Sequence, residues 1–341
     1  MKGQYVTLKD VAKRAGTTAA TVSYVLNGTG KRYISEEMRQ RVEQAASELG
    51  YVKSSAASSL KGKKRKIIAV LVPQFSNQFF TELVLGVEEI ADRYGYILSI
   101  CNTFDDPERE KEIINRTQSQ RVDGYIITPS QEGEKSTWPI RKVGVPMVIV
   151  DRKLNSKEDY FFVSAQNYES TVLGVEHLLK KGHRKIIYIG WDARFGGLEL
   201  REKAYRDLLK KYQIPEEDAL VYNGEFTEES GAELTSKALK EHPDATAVFY
   251  AYNIQARGGV NEMTRQGVEL GKDISVLVLG APDWVKTGRN QITCVDIHGR
   301  QIGIAGAEML FDILNSEESD IEPYTREVPA ELIEGDSVFT V

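Results

Sequence analysis

Between residues 7 and 50 apolar positions recur at helical spacing in three short stretches separated by turn residues. Thr7, with Asp10 three residues on, makes a capping-box-like start, and Leu8, Val11, Ala12 and Ala15 then share one face. Gly16 and Thr17 break that helix. Thr18 is placed to cap a second one, AATVSYVLN, in which Val22, Val25 and Leu26 turn inward and Ala19, Ala20, Thr21, Ser23 and Tyr24 are left outside; Asn27-Gly28 stops it. Ser35 opens a third helix with Met38, Val42, Ala45, Ala46 and Leu49 as its buried stripe and Gly50 at its end. Two short helices about a glycine-containing turn predict a helix-turn-helix inside a small all-α head.

From residue 67 the pattern changes. Ten short β-rich runs (IIAVLV, YILSIC, GYIITP, PMVIVD, FFVSA, KIIYIG, LVYNGE, AVFYAY, SVLVLG and ITCVDI) alternate with amphipathic helices such as FFTELVLGVEEIADRYG. Strands apolar on both sides, spaced by helices, predict parallel sheets covered on both faces. Ten strands exceed one comfortable sheet, so the body is expected to be two doubly wound parallel-sheet subdomains with a cleft between them. The intervening YVKSSAASSLKGKKRK has no apolar periodicity and reads as a linker. The expected domains are a head over 1–52, a hinge over 53–66 and a body over 67–341.

The length of 341 residues and 41% hydrophobic content fit two or three folded domains. No apolar run approaches the roughly 20 residues of a membrane helix, and the start MKGQYVTLKD lacks the apolar stretch of a signal peptide, so a cytoplasmic protein is expected. Cys101 and Cys294, far apart in strand-like runs, fit reduced core residues. The net charge of -6 hides an asymmetry: residues 1–66 hold fourteen Lys and Arg against five Asp and Glu, a balance of +9, leaving -15 on the remainder. A basic head on an acidic body points to double-stranded DNA, because cationic side chains displace counterions from phosphates while the body is repelled. A solvated basic tail is the alternative, and the helical pattern inside the head favours the first reading.

In a helix-turn-helix the second helix enters the major groove, where small side chains let the backbone approach base edges. Ala19, Ala20 and Tyr24 are therefore candidate base readers, and Thr7, Thr18, Thr21, Ser23 and Asn27 candidate phosphate contacts. The stretches TLKDVAKRAGTTAATVSYVLNG and ISEEMRQRVEQAASELGY resemble the DNA-binding head of the lactose-repressor (LacI/GalR) family of bacterial transcription regulators. Tyr24 stands where that family usually has Arg. The resemblance implies that the linker folds as a hinge helix on the operator with a leucine wedged into the minor groove; Leu60 sits at that position and Ala57 matches, while Lys53, Ser54 and Ser58 replace the usual Pro, Asn and Arg.

PQFSNQFF, RVDGYIITPS, GVPMVIVDR, GHRKIIYIG, GEFTEESG and TAVF extend the likeness to the family's periplasmic-binding-protein-like effector domain. That fold implies three crossings between subdomains, near residues 160, 294 and 324, with one subdomain built from about 67–160 and 295–323 and the other from about 161–293 and 325–341. It also implies a homodimer and a small-molecule effector in the cleft. Positions matching the family nominate Phe79, Arg201 and Phe226 as ligand contacts, with Arg194, Tyr252, Asn253 and Asp283 as further candidates. The alternative for Phe79 and Phe226 is a core role, and for Arg194 a solvated loop charge. Sugar-responsive relatives usually carry Asn-Asp where this chain has Tyr252-Asn253, and an acidic residue at Pro282, so the expected ligand is sugar-like or anionic, with an anionic or aromatic one favoured over a plain neutral sugar. Asp283, one residue along, offers a replacement acceptor.

No cofactor, metal or catalytic constellation is expected: His177, His183, His242 and His298 lack metal-ligand spacing, His183 reads as a helix cap, and no phosphate loop or nucleophile elbow occurs. The combined expectation is a ligand-responsive repressor that binds a pseudo-palindromic operator as a homodimer. The alternatives are a binding protein with a vestigial head, an α/β enzyme fused to such a head, and a regulator controlled by a protein corepressor.

Overall fold

Local capping chemistry sets the ends of the first three helices. In this computed structural model, residues 6–27, 33–52, 64–131, 133–192, 197–287, 291–316 and 321–341 are described. Helix α1 (Leu8–Ala15) opens on a capping box: Thr7 Oγ1 accepts from Asp10 N at 3.4 Å and Asp10 Oδ2 accepts from Thr7 N at 2.8 Å. Gly16, at φ 66°, closes it in the left-handed conformation. Thr18 Oγ1 accepts from Thr21 N at 3.1 Å at the start of α2 (Ala19–Asn27), and Ser35 caps α3 (Glu36–Leu49). The three helices share a core of Val11, Ala12, Ala15, Val22, Val25, Val42, Ala45 and Ala46. Each fully buried valine there contributes roughly 1.5 kcal/mol. Arg41 Nη2 donates to Ala15 O at 2.7 Å and ties α3 to the end of α1.

The chain divides into two compact units, residues 1–65 and 66–341. The second begins with β1 (Ile67–Val72), α4 (Gln78–Arg93), β2 (Ile97–Asn102), α5 (Pro107–Ser119), β3 (Gly124–Ile127), α6 (Gly133–Val143), β4 (Met147–Val150) and β5 (Phe161–Ala165). It continues through α7 (Asn167–Lys180), β6 (Ile186–Trp191), α8 (Glu199–Lys211), β7 (Leu220–Gly224), α9 (Glu228–Glu241), β8 (Ala247–Tyr250), α10 (Asn253–Arg265), β9 (Ser275–Leu279) and β10 (Thr293–Asp296). It ends with α11 (Gly299–Asn315), β11 (Thr325–Val328) and β12 (Glu331–Ile333). Two six-stranded sheets result, in the orders β11-β5-β4-β3-β1-β2 and β12-β10-β9-β8-β6-β7. The pairings are parallel apart from β12 on β10. Strands β3, β4, β8 and β9 are buried along their whole length, as parallel strands with helices on both faces must be.

The sheets correct the expected crossings. β5 pairs with β4 (Val148↔Phe161, Val150↔Val163) and with β11, so the chain leaves the first lobe after residue 165 and not near 160. β10 lies in the second sheet, which moves the second crossing past residue 296, and the third falls between β11 and β12. The physical reason is hydrogen-bond register: FFVSA is apolar on both faces and completes the first sheet, whereas the polar stretch before it is only a loop. Helix α11 returns to the first lobe and packs on α4, β3, β4 and β5. Gly86 and Gly303 allow the α4–α11 approach, since a Cβ would lie 2.1 Å from Arg300 O and 2.0 Å from Leu83 O respectively.

His183 ends α7 through its backbone, its N donating to Leu178 O at 3.2 Å just after Gly182 at φ 99°. It is fully buried, with Nδ1 2.8 Å from Thr246 Oγ1 and Nε2 3.0 Å from Phe339 O, and so fastens the C-terminal segment to the second lobe. A carbonyl can only accept, so Nε2 carries the proton, and in the neutral ring Nδ1 accepts from the threonine hydroxyl. Burial holds the imidazole below its ordinary value, and His177 is lowered by the same cause. A lowered folded-state value means that this stabilisation is present above about pH 6.5 and is lost as pH falls through the folded value. The melting temperature is therefore expected to fall between about pH 7 and 5.5, and less steeply in His183→Gln; identical slopes would contradict the assignment. Both cysteines are free, Cys101 half-buried and Cys294 buried. Among the described residues no helix is long and apolar enough to cross a membrane.

Candidate functional site

Two surfaces carry the candidate residues, one in each unit. On the head, burial of Val22 and Val25 turns the opposite side of α2 outward: Thr18, Ala20 and Tyr24 are exposed, and Ala19, Thr21 and Ser23 are half-buried beside them. The face is small at its N-terminal end, and Tyr24 projects one turn further along. The Thr18 and Thr21 hydroxyls lie 3.0 Å apart, so one donates to the other and together they present a paired hydroxyl edge. Thr7 is exposed, but its hydroxyl donates to Asp10 Oδ2 at 2.6 Å, so the cap uses its proton. That bond, with the backbone donor of Thr7, holds the Asp10 carboxyl below its ordinary range. Asn27 ends α2. Ala57, Leu60 and Arg194 lie outside the described residues.

In the body, the loops after the carboxyl ends of β1, β4, β6, β7, β8, β9 and β10 converge on one cleft between the lobes, where ligands of doubly wound sheets bind. The space between its lining atoms, open solvent at the mouth included, is about 680 Å³. Phe79, Arg201, Phe226, Tyr252 and Asn253 all line it. Phe226 lies 5.0 Å from Trp191 and 5.6 Å from Tyr252 between ring centroids, the latter pair at 90°. These rings form an apolar wall. Arg201, only 4% exposed, donates from Nε to Asn167 Oδ1 at 2.8 Å and from Nη1 to Ala251 O at 2.6 Å, with its guanidinium 4.6 Å from the Tyr252 ring. Those bonds lock the planar group in one orientation.

Asp151, Arg152 and Trp191 also line the cleft and were not singled out from the sequence. Arg152, 2% exposed, donates from Nη1 to Asp105 Oδ1 at 2.7 Å, and its guanidinium lies 5.0 Å from the Trp191 ring of the other lobe. Asp151 adopts φ 67°, unusual for a residue with a side chain, and its carboxyl is 3.9 Å from Arg152 Nε. Burial raises the Asp151 carboxyl above its ordinary value, against the pull of Arg152 and Arg201. The signal was available: the apolar run PMVIV ends in Asp151-Arg152, at the strand end where ligand contacts gather. Glu82 and Asp296 line the cleft as well, so among the described residues three carboxylates and two guanidinium groups line it.

Asp283 departs from expectation. It is exposed, opens a 3-10 turn after Pro282, and does not line the cleft; its backbone N donates to Gln78 Oε1 at 2.8 Å. The turn directs the chain away before the side chain can reach inward. Among the described residues no group of three or more His, Cys, Asp or Glu could hold a metal ion.

Comparison with known proteins gives two family matches. Residues 7–54 match "Bacterial regulatory proteins, lacI family" and residues 175–338 match "Periplasmic binding protein-like domain". The ribose operon repressor of Halalkalibacterium halodurans is 30% identical over 96% of this chain and 95% of its own length. The HTH-type transcriptional repressor PurR of Haemophilus influenzae (strain PittEE) is 27% identical over 98% and 99%, and the catabolite control protein A of Staphylococcus xylosus 29% over 92% and 94%. Among solved structures, a lac repressor dimer bound to operator and the anti-inducer ONPF superposes with a TM-score of 0.83, at 24% identity over 98% of this chain and 100% of that one, a likeness of fold.

Proposed function

The chain belongs to the lacI family of bacterial regulatory proteins, and from that premise we propose that it is a DNA-binding transcriptional repressor. It works in the cytoplasm as a homodimer whose grip on a pseudo-palindromic operator responds to a small ligand in the cleft of the body. The observation that carries this reading is the outward face of α2: alanines, threonines and a tyrosine on a folded, basic helix-turn-helix. Thr18, Ala19, Ala20, Thr21, Ser23 and Tyr24 are its candidate DNA contacts, with Thr7, Asn27, Ala57 and Leu60 as further ones. Closure of the lobes about the ligand couples the two sites.

The relatives compared are regulators and not enzymes, and we read the cleft as binding its ligand without turnover. Arg201 and Asp151 offer a fixed donor and a buried acceptor beside an aromatic wall, which fits the hydroxyl-rich face of a sugar-like molecule or a small oxyanion. Phe79, Phe226, Tyr252 and Asn253 supply the remaining walls. Named relatives include a ribose operon repressor and a regulator in complex with cellobiose.

Dimerisation has a surface to use. β2 is the outer strand of the first sheet; Ile97 is 67% and Ile100 45% exposed on it, and Leu85 of the neighbouring α4 is 44% exposed. An apolar edge of this kind invites pairing, and a second copy related by a two-fold axis suits a two-fold operator. Ile100→Glu is expected to shift sedimentation from dimer to monomer and to weaken binding of a symmetric duplex at least 100-fold, because one head then holds one half-site. An unchanged dimer with unchanged affinity would contradict this.

A further inference from the structure

The two lobes are joined across the mouth of the cleft by an amide pair. Asn77, at the start of α4 in the first lobe, and Asn253, at the start of α10 in the second, exchange both hydrogen bonds: Asn253 Nδ2 donates to Asn77 Oδ1 at 3.0 Å and Asn77 Nδ2 to Asn253 Oδ1 at 3.4 Å. Asn77 is 5% exposed and also caps α4, its Oδ1 accepting from Phe79 N at 3.1 Å. That cap fixes which end of the Asn77 amide accepts, and hence which end of Asn253 must donate. A carboxylate, which the family pattern leads one to expect at 253, has no proton to give. Gly280, at φ 108°, keeps the approach open, since a Cβ there would stand 3.2 Å from Asn253 Cβ. Beside the pair, Gln78 Oε1 accepts from Asp283 N at 2.8 Å, a second bond between the lobes.

This pair stands between two cavities. On one side is the cleft with Arg201 and Phe226; on the other is a second hollow lined by Ser76, Ile254, Arg257 and Trp284, and both cavities share Asn77, Gln78, Asn253 and Pro282. We infer that Asn77 and Asn253 form a clasp that holds the lobes closed without a ligand and separates the cleft from this second hollow, a vestibule, so that a molecule reaches Arg201 by that side only when the clasp parts. Two neutral hydrogen bonds at a partly wet site bias the closed state about tenfold, enough to govern its population and weak enough to open thermally. The role as a gate to the ligand rests on the reading of the cleft as an effector site. The clasp itself does not.

The chain's three tryptophans provide a ligand-free test, since Trp191 lines the cleft, Trp284 the vestibule, and Trp138 lies exposed on α6. In a Trp138→Phe, Trp284→Phe background Trp191 is the sole emitter, and its quenching by acrylamide reports how often the cleft opens. Asn253→Ala removes the clasp, and Asn253→Asp removes only the bond that Asn253 donates, while both leave the Asn77 cap on α4 intact. Asn253→Ala is expected to raise the quenching slope at least twofold and Asn253→Asp to raise it by less, both with unchanged far-ultraviolet circular dichroism. Gln78→Ala, which removes the neighbouring bond, is expected to move the slope the same way by less, and carries the test if the Asn253 variants fail to fold. Slopes equal to that of the parent in the folded variants overturn the clasp. The outcome does not depend on whether any small molecule binds, so failure of the clasp and failure of the effector reading are told apart.

Discussion

Ala20→Glu is expected to lower affinity for a two-fold symmetric duplex by 100-fold or more while leaving the head fully folded. Ala20 is exposed at the second position of α2, on the face that α2 turns outward when Val22 and Val25 are buried. A glutamate there stabilises the helix, because an acidic group in the first turn complements the positive end of the helix dipole. The same carboxylate would meet base edges and phosphates at the surface proposed to enter the major groove. A cost of about 1.4 kcal/mol per head is a factor of ten, and a dimer using two heads incurs it twice. Circular dichroism and thermal unfolding of the variant, beside a fluorescence-anisotropy titration with labelled duplex, check both halves of the expectation. Affinity within threefold of the parent would remove α2 from the DNA interface.

The second large effect lies in the cleft. Arg201→Met is expected to destabilise the body by about 3 to 5 kcal/mol, the usual cost of removing one member of a buried charged network. Asn167 Oδ1 and Ala251 O lose their donor, the Tyr252 ring loses its cation, and the buried Asp151 carboxyl loses one of the two positive charges acting on it. For a unit of this size that corresponds to a fall in melting temperature on the order of 10 °C. Arg201→Lys is expected to recover little, because an ammonium cannot reach both acceptors in the guanidinium plane. A fall below about 2 °C for Arg201→Met would show that the guanidinium is held for the ligand alone and contributes nothing to the fold.

The head was legible because its signals are local: Thr7 with Asp10, Gly16, Thr18 and Ser35 each act within one helical turn, and all end helices where the pattern places them. The ten apolar runs in the body are strands for the same reason. What escaped is set by distant pairing. FFVSA belongs to the first sheet because β4 and β11 lie on either side of it, and β11 and β12 are too short and too polar to announce themselves. In the cleft, the likeness to the family nominated Phe79, Arg201, Phe226, Tyr252 and Asn253, all of which line it. That nomination overlooked Asp151, Arg152 and Trp191, whose convergence needs the strand order. Asp283 shows the limit from the other side: a one-residue displacement in a turn decides whether a carboxylate faces the ligand or water, and no periodicity encodes it.

The central claim is that this chain is a dimeric reader of a symmetric operator, and selection of duplexes from a random library by the full-length protein tests it most directly. The selected sequence is then titrated against a scrambled control at several salt concentrations. The account predicts a two-fold symmetric site, bound at least a thousandfold tighter than the scramble, with affinity falling steeply as salt rises. Weak binding equal on both duplexes, with no symmetric site enriched even when cell metabolites are added, would contradict it.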